Sequence, residues 1–314
     1  MVSALWYIHP HHAASGGHPM NHPHRRDHNS VPLGRRVAEL RVNRGMSQQA
    51  FADRLGKSKS WVDKVERGVR KLDTTRGTRS LLVSTYRITA AVLIKLDHAE
   101  LAWLAADRAV TAAAEGPTLT AAATIGITQA LRALDHHHLA VTAAITAADT
   151  ADDDNVRATL YLQAALATAS YGDRRNTHDL LDYAASLAGR RANDTDPQHT
   201  GFGSGAVESA RFLAAHCLGD TAEALHRHEH AIRSHGWRRL PPEHRGAHLI
   251  DAARAYLDTG DPAQAGQALL DADRIAPAEV RNRSVARTLL AEIIHRGPAA
   301  ADVARLATIL GLTR

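Results

Sequence analysis

The chain has 314 residues, 44% of them hydrophobic and only 4% aromatic, with a net charge of +5; this length suggests about two domains with sizeable cores. Abundant alanine with few aromatics favours closely packed helices, and no run alternates like a strand, so the class predicted is all-α. A lone Cys217 excludes an intramolecular disulfide framework and fits a reducing cytoplasm, and no stretch nears the ~18 consecutive apolar residues of a membrane span.

Residues 1–30 carry seven histidines (His9, His11, His12, His18, His22, His24 and His28) among Pro, Gly, Ser and Asn. ALWYI, near the start, is too short for the apolar core of a secretory signal. The segment has too little hydrophobicity to order itself and reads as a disordered His-rich extension, with Met20 as an alternative start. A nickel- or zinc-binding tail is the other reading.

From Ser47 to Gly68 the chain reads SQQAFADRLGKSKSWVDKVERG. Ser47 is placed to cap a first helix. Gly56 sits where a sharp turn needs a residue tolerant of positive φ, and Ser58 opens a second helix. Ala52 is small enough for close helix approach. Val62 and Val65, at i and i+3, share a face that can pack on Phe51 and Leu55. The other face of the second helix carries Lys59, Ser60 and Lys64. Residues 31–75 hold eleven Lys/Arg against five acids, or +6, while residues 76–314 sum to −2. The basic excess is thus confined to the segment with the motif, as expected of groups that displace counterions from phosphate.

This segment resembles the Cro/repressor-type (XRE-like) helix-turn-helix domains. The matching residues are Leu40-Arg41, Ser47-Gln48, Phe51-Ala52, Leu55-Gly56, Val62, Val65 and Glu66-Arg67-Gly68. The resemblance covers about residues 31–97 and implies a compact domain of five short helices, the third of which lies in the major groove. It places base reading on Lys59, Ser60 and Lys64, and a phosphate or base-edge contact on Gln48. Arg44, Lys57, Arg67, Arg70 and Lys71 complete the DNA-binding set. Between Gly68 and the next apolar run the chain inserts VRKLDTTRGTR, longer than the usual link to the fourth helix.

Residues 98–117 read as a linker helix, and from about 118 to 314 the chain repeats an apolar helix, Gly-Asp, and a second apolar helix. The clearest copy spans 252–277, AARAYLDTGDPAQAGQALLDADRIAP. Gly260 makes the turn, Asp261 caps the next helix and Pro262 takes its first position. Ala265, Leu269 and Ala272 then recur on the packing face. Weaker copies turn at Gly172-Asp173 and Gly219-Asp220, with Thr177 and His228 standing where the pattern wants Ala and a large apolar residue. Residues 118–150 have room for another, unmarked pair. This stretch resembles tetratricopeptide (TPR) repeats, which stack helix pairs of about 34 residues into a solenoid.

No metal site is predicted. The consecutive His136, His137 and His138 point in three directions on a helix, and His226 with His230 lacks a third ligand. Cys217 lies in an apolar run as a structural thiol. Trp237 with Arg238 and Arg239 forms either a contact cluster or a turn-capping aromatic. No nucleophile elbow, phosphate loop, dinucleotide fingerprint or carboxylate pair is found, so no enzyme and no cofactor is expected.

The combined architecture, an N-terminal five-helix helix-turn-helix domain followed by a TPR-like α-solenoid, is similar to the RRNPP-type regulators. The resemblance implies a cytoplasmic transcription factor that binds a double-stranded DNA operator as a homodimer. Its repeat domain would bind an effector, whether peptide, small molecule or protein. The alternative is a TPR-type protein–protein adaptor or antitoxin-like partner, in which the repeats hold another protein and DNA binding is autoregulatory.

Overall fold

The computed structural model describes residues 33–54, 58–68, 76–113, 116–189, 196–297 and 300–312, and among these it contains helices and turns with no strand. The chain divides into two compact units, one reaching Thr78 and one running on from Arg79.

The first unit is built from α1 (Leu33–Asn43), α2 (Gln48–Arg54) and α3 (Lys59–Glu66). Gly45, at φ +63°, ends α1, donating its N–H to the Val42 carbonyl while Met46 reaches back to Arg41. That pair of bonds is the left-handed stop that satisfies the last carbonyls of a helix. Ser47 Oγ then accepts from the Ala50 N–H at 3.1 Å and caps α2 as expected. Ala52, Val62 and Val65 are buried, and Phe51 is half-buried. Gly68, at φ +71°, closes α3. The turn residues Leu55, Gly56 and Lys57 lie outside the described residues.

Where the resemblance implies a fourth and a fifth short helix, a single helix α4 runs Arg76–Lys95. Beyond Gly77 its sequence has neither proline nor glycine to break it. From there the second unit alternates helices that pair in sequence: α4 with α5 (Ala99–Ala113), α6 (Pro117–Ala133) with α7 (His137–Asp149), and α8 (Asp154–Ser170) with α9 (Arg174–Gly189). They continue as α10 (Ser204–Cys217) with α11 (Thr221–Arg233), and α12 (Pro242–Asp258) with α13 (Pro262–Ile275). The short α14 (Pro277–Asn282), α15 (Ser284–Arg296) and α16 (Ala301–Ile309) close the unit.

One turn design joins the members of each pair. Gly172, Gly219 and Gly260 sit at φ +85°, +78° and +81°. The following Asp173, Asp220 and Asp261 accept from the backbone N–H of Asn176, Glu223 and Gln264 at 3.2, 3.2 and 3.0 Å. Glycine meets the left-handed conformation without a Cβ clash, and the carboxylate satisfies an orphan donor of the next helix. Asp97 and Asp135, at φ +60° and +59°, hold the same place in the two earlier pairs. His98 and His136 donate back to the Leu93 and Leu131 carbonyls there, as Asp261 does to Tyr256. The unit therefore holds five pairs with a common turn, beginning at α4.

From α6 onward the first helix of a pair is more enclosed than the second. Thirteen of the seventeen residues of α8 are buried, against three of thirteen in α11. Small side chains make this close packing possible, and alanines supply much of the core between α8 and α16. Gly205 and Gly236 let the first turn of α10 and the link after α11 approach closely, since a Cβ on Gly205 would stand 2.5 Å from the Gly236 carbonyl oxygen.

Candidate nucleic-acid interface

The geometry of α3 follows from how its inner face is held. Val62 and Val65 anchor it in the apolar core. At its C-terminal end Glu66 takes a two-pronged ion pair from Arg41 of α1, Nε to Oε1 at 2.6 Å and NH2 to Oε2 at 3.1 Å. Arg41 also donates to the Met46 carbonyl at 2.7 Å, and Gln48 donates to Glu66 Oε2 at 2.8 Å. Both ionic side chains are largely buried. The hydrogen bond from Arg41 holds the Glu66 carboxyl below its ordinary range, and Glu66 raises Arg41 in return. One carboxylate thus ties α1, the start of α2 and the end of α3 together, in the fork geometry that suits a guanidinium.

The opposite face of α3 is open. Lys59, Ser60 and Lys64 are exposed, on the side away from Val62 and Val65. Arg67 is exposed too and pairs with Asp63 at 2.5 Å. With Asp63 subtracted, this face carries +2 from Lys59, Lys64 and Arg67. Arg44 is exposed in the turn after α1. Gln48 is half-buried and engaged with Glu66. Lys57, Arg70 and Lys71 lie outside the described residues, as does the His-rich extension. The Arg41–Glu66 pairing was not read from the sequence, although both residues stand in the matching pattern and carry opposite charge.

Other singled-out residues take structural places. Trp237 is buried in a short 3₁₀ turn, Trp237–Arg239, edge-on to His248 at 5.1 Å, whereas Arg238 and Arg239 are exposed. His226 and His230 are exposed on α11, and His138 stacks on Tyr171. No group of three or more potential ligands that could hold a metal occurs among the described residues. Burial pushes the Cys217 thiol up to about 12, which keeps it in the unreactive protonated form. A cleft of about 540 Å³ opens beside the start of α10, lined by Asp196, Phe202, Ser204, Arg239 and several backbone groups. No helix among the described residues is long and apolar enough to cross a membrane.

An α3 whose polar face is left open, together with a body of paired helices, defines a helix-turn-helix protein with helical repeats. Residues 32–93 match a family of helix-turn-helix domains. The chain is similar to Bacillus thuringiensis PlcR, solved in complex with the peptide PapR7 and DNA, at 13% identity and a TM-score of 0.45 over 77% of this chain and 93% of that one. None of the curated proteins matches significantly in sequence.

Proposed function

We propose that this chain is a sequence-specific DNA-binding transcriptional regulator whose repeat unit mediates dimerisation and binds an effector. The observation that carries this reading is the two-sided character of α3. One side is locked by Val62, Val65 and the Arg41–Glu66–Gln48 network, and the other holds Lys59, Ser60 and Lys64 exposed. Rigid support with open donors is what direct reading of base edges requires, because a misplaced donor cannot discriminate between bases. The +6 charge of residues 31–75 supplies phosphate attraction.

An effector held by the repeats acts through its differential affinity for the free and DNA-bound protein, a coupling of typically 1–3 kcal/mol. Its chemistry is peptide, small molecule or protein, and operator affinity of the full chain measured with and without cell extract reports on it. The DNA-binding reading is tested by selecting duplexes from a random library with the full chain. A two-fold symmetric motif with half-sites about one helical turn (~10 bp) apart is expected. Enrichment of no motif, with binding that depends on salt alone, would overturn it.

A further inference from the structure

The link between α9 and α10 does more than join neighbours. From its described part, residues 196–203, it reaches back to α4, the first helix of the first pair, where Arg87 donates to the Gln198 carbonyl at 2.8 Å. The Arg87 stem lies against α6 on the way, since a Cβ on Gly126 would stand 4.0 Å from Arg87 Cγ. Gly126 of α6 and Gln163 of α8 stand nine residues before their turn residues, Asp135 and Gly172, and Arg87 stands ten before Asp97. The three are thus at one height on successive first helices, and the contact with the link lies midway along them. Repeat solenoids bind partners along a face formed in this way.

The link is organised around Asp196. Its carboxylate accepts from the Thr200 hydroxyl at 3.1 Å and from the Gly201 N–H at 2.7 Å, and its carbonyl accepts from the His199 N–H at 3.0 Å. His199 at φ +50° and Gly201 at +67° fold the chain back on this residue. Burial pushes the Arg87 guanidinium down to about 10, against the pull of the Asp196 carboxylate. Thr200 is buried, whereas Pro197 and His199 are exposed, and Phe202 anchors the start of α10 in the core. The cleft of about 540 Å³ borders Asp196, Gly201 and Phe202, so the link has open space on one flank.

We propose that residues 196–201 are an intramolecular occupant of the face formed by the first helices, clamped there by Arg87, and that an effector peptide takes this place by displacing them. The inference rests on the reading of the repeat unit as an effector-binding body. Arg87 grips a backbone carbonyl, which every peptide presents, so another chain can meet the same donor. The first helices here are polar where they are buried: Thr128 and Arg132 of α6, and Asn155, Thr159 and Gln163 of α8, recur at four-residue spacing. Arg132 donates to Gln163 Oε1 at 2.7 Å, while Gln163 Nε2 is buried with no hydrogen-bond partner among the described residues. Permanent closure favours apolar side chains, because a buried polar group left unmatched is costly. A face that exchanges one polar occupant for another has use for such groups.

The test uses the full chain with Thr200→Cys as a reporter, because a thiol at this buried position is modified only when the link opens. Cys217, whose thiol burial pushes up to about 12, reports unfolding of the body in the same experiment. Arg87→Met keeps the stem and removes the donor. It should speed modification at position 200 by about tenfold or more, the effect of losing one hydrogen bond from a charged group, with Cys217 unchanged. Equal rates with and without Arg87, or a parallel rise at Cys217, would overturn the clamp. In a second full chain, residues 196–201 are replaced by alternating glycine and serine. The capped peptide DPQHTG, labelled with a fluorophore, should bind this chain and not the wild type, and Arg87→Met should abolish the binding. Binding to neither chain, or binding indifferent to Arg87, would overturn the occupancy. Neither readout involves DNA or an effector. A wild type without base preference, or an operator affinity indifferent to cell extract, would therefore defeat the functional reading and leave the clamp standing.

Discussion

His228 of α11 and His248 of α12 face each other in the core, Nδ1 to Nε2 at 2.9 Å, with Phe212, Trp237 and Tyr256 around them. The bond needs one ring to donate and the other to accept, so at least the accepting ring is neutral. Burial pushes His228 down to about 4 and His248 well below its ordinary value. An unfolded histidine near 6.5 binds a proton that the folded one refuses, so stability is full above pH 6.5 and falls as pH drops toward 4. For His228 the loss is on the order of 3 kcal/mol at 1.36 kcal/mol per pKa unit. Asp251 works the other way: burial raises its carboxyl to about 6, so it stabilises the acid form and partly offsets the histidines between pH 6 and 4. Urea unfolding at pH 7 and pH 4.5 should show a clear loss at the lower pH. Asp251→Asn should be more stable than wild type at pH 7 and should lose stability more steeply with acid. A midpoint independent of pH would contradict the buried neutral pair. The sequence pattern marked His228 and Thr177 as poor fits to their repeat positions. In the structure Thr177 hides its hydroxyl on the Asp173 carbonyl at 2.7 Å, and His228 serves as a flat neutral ring. Residue type alone cannot announce such substitutions, because they depend on a partner that completes the hydrogen bond.

At the scale of elements, the Gly-Asp turns were legible because their chemistry is local: a left-handed residue and a cap only one position apart. The α6–α7 pair was allowed for at 118–150 but unmarked, and the α4–α5 pair was not read as a repeat, because aspartate replaces glycine in both turns. A signal was nonetheless present, since Leu96-Asp97-His98 recurs as Leu134-Asp135-His136. Gly219→Ala should cost about 1–2 kcal/mol, the left-handed penalty, because no neighbour lies within 4 Å to add a clash. Gly297, whose backbone is extended and equally open, should accept alanine with little change; equal losses at both sites in thermal unfolding would show that φ is not the cause. The contact of Lys95 with Glu279 was not legible, because its members stand 184 residues apart. Arg283 adds a second prong to Glu279 at 3.3 Å, and Ser284 donates to Asp97 beside it. Burial lowers Lys95 despite Glu279, so desolvation outweighs the attraction. The pair is therefore a modest stabiliser that is expensive to break. Glu279→Ala should lose about 3–5 kcal/mol by leaving two buried cations without their carboxylate. A loss below 1 kcal/mol in chemical denaturation would mean that water reaches them.

Across the whole molecule the charge divides as the two units do, with +6 in residues 31–75 and −2 from residue 76 onward. The positive head attracts any duplex, and this attraction weakens steeply with salt. Sequence preference needs something more, namely donors held in register with base edges. The helix-turn-helix was readable because its spacing, small residue and basic face fall within twenty-two consecutive residues. What the sequence left unread is long-range: the Arg41–Glu66 tie, the closure at Glu279 and the hold of Arg87 on Gln198 all appear only once distant residues are aligned. On the proposed function, the open face of α3 reads bases. Operator libraries selected with the wild type and with the Lys59→Ala/Lys64→Ala variant test it most directly, since each lysine contact to guanine is worth about 1–3 kcal/mol of discrimination. The variant should fold normally, keep its salt-dependent affinity for duplex DNA in large part, and lose preference at one or two base pairs in each half-site. Recovery of the wild-type motif by the double variant would mean that α3 does not read bases through these lysines.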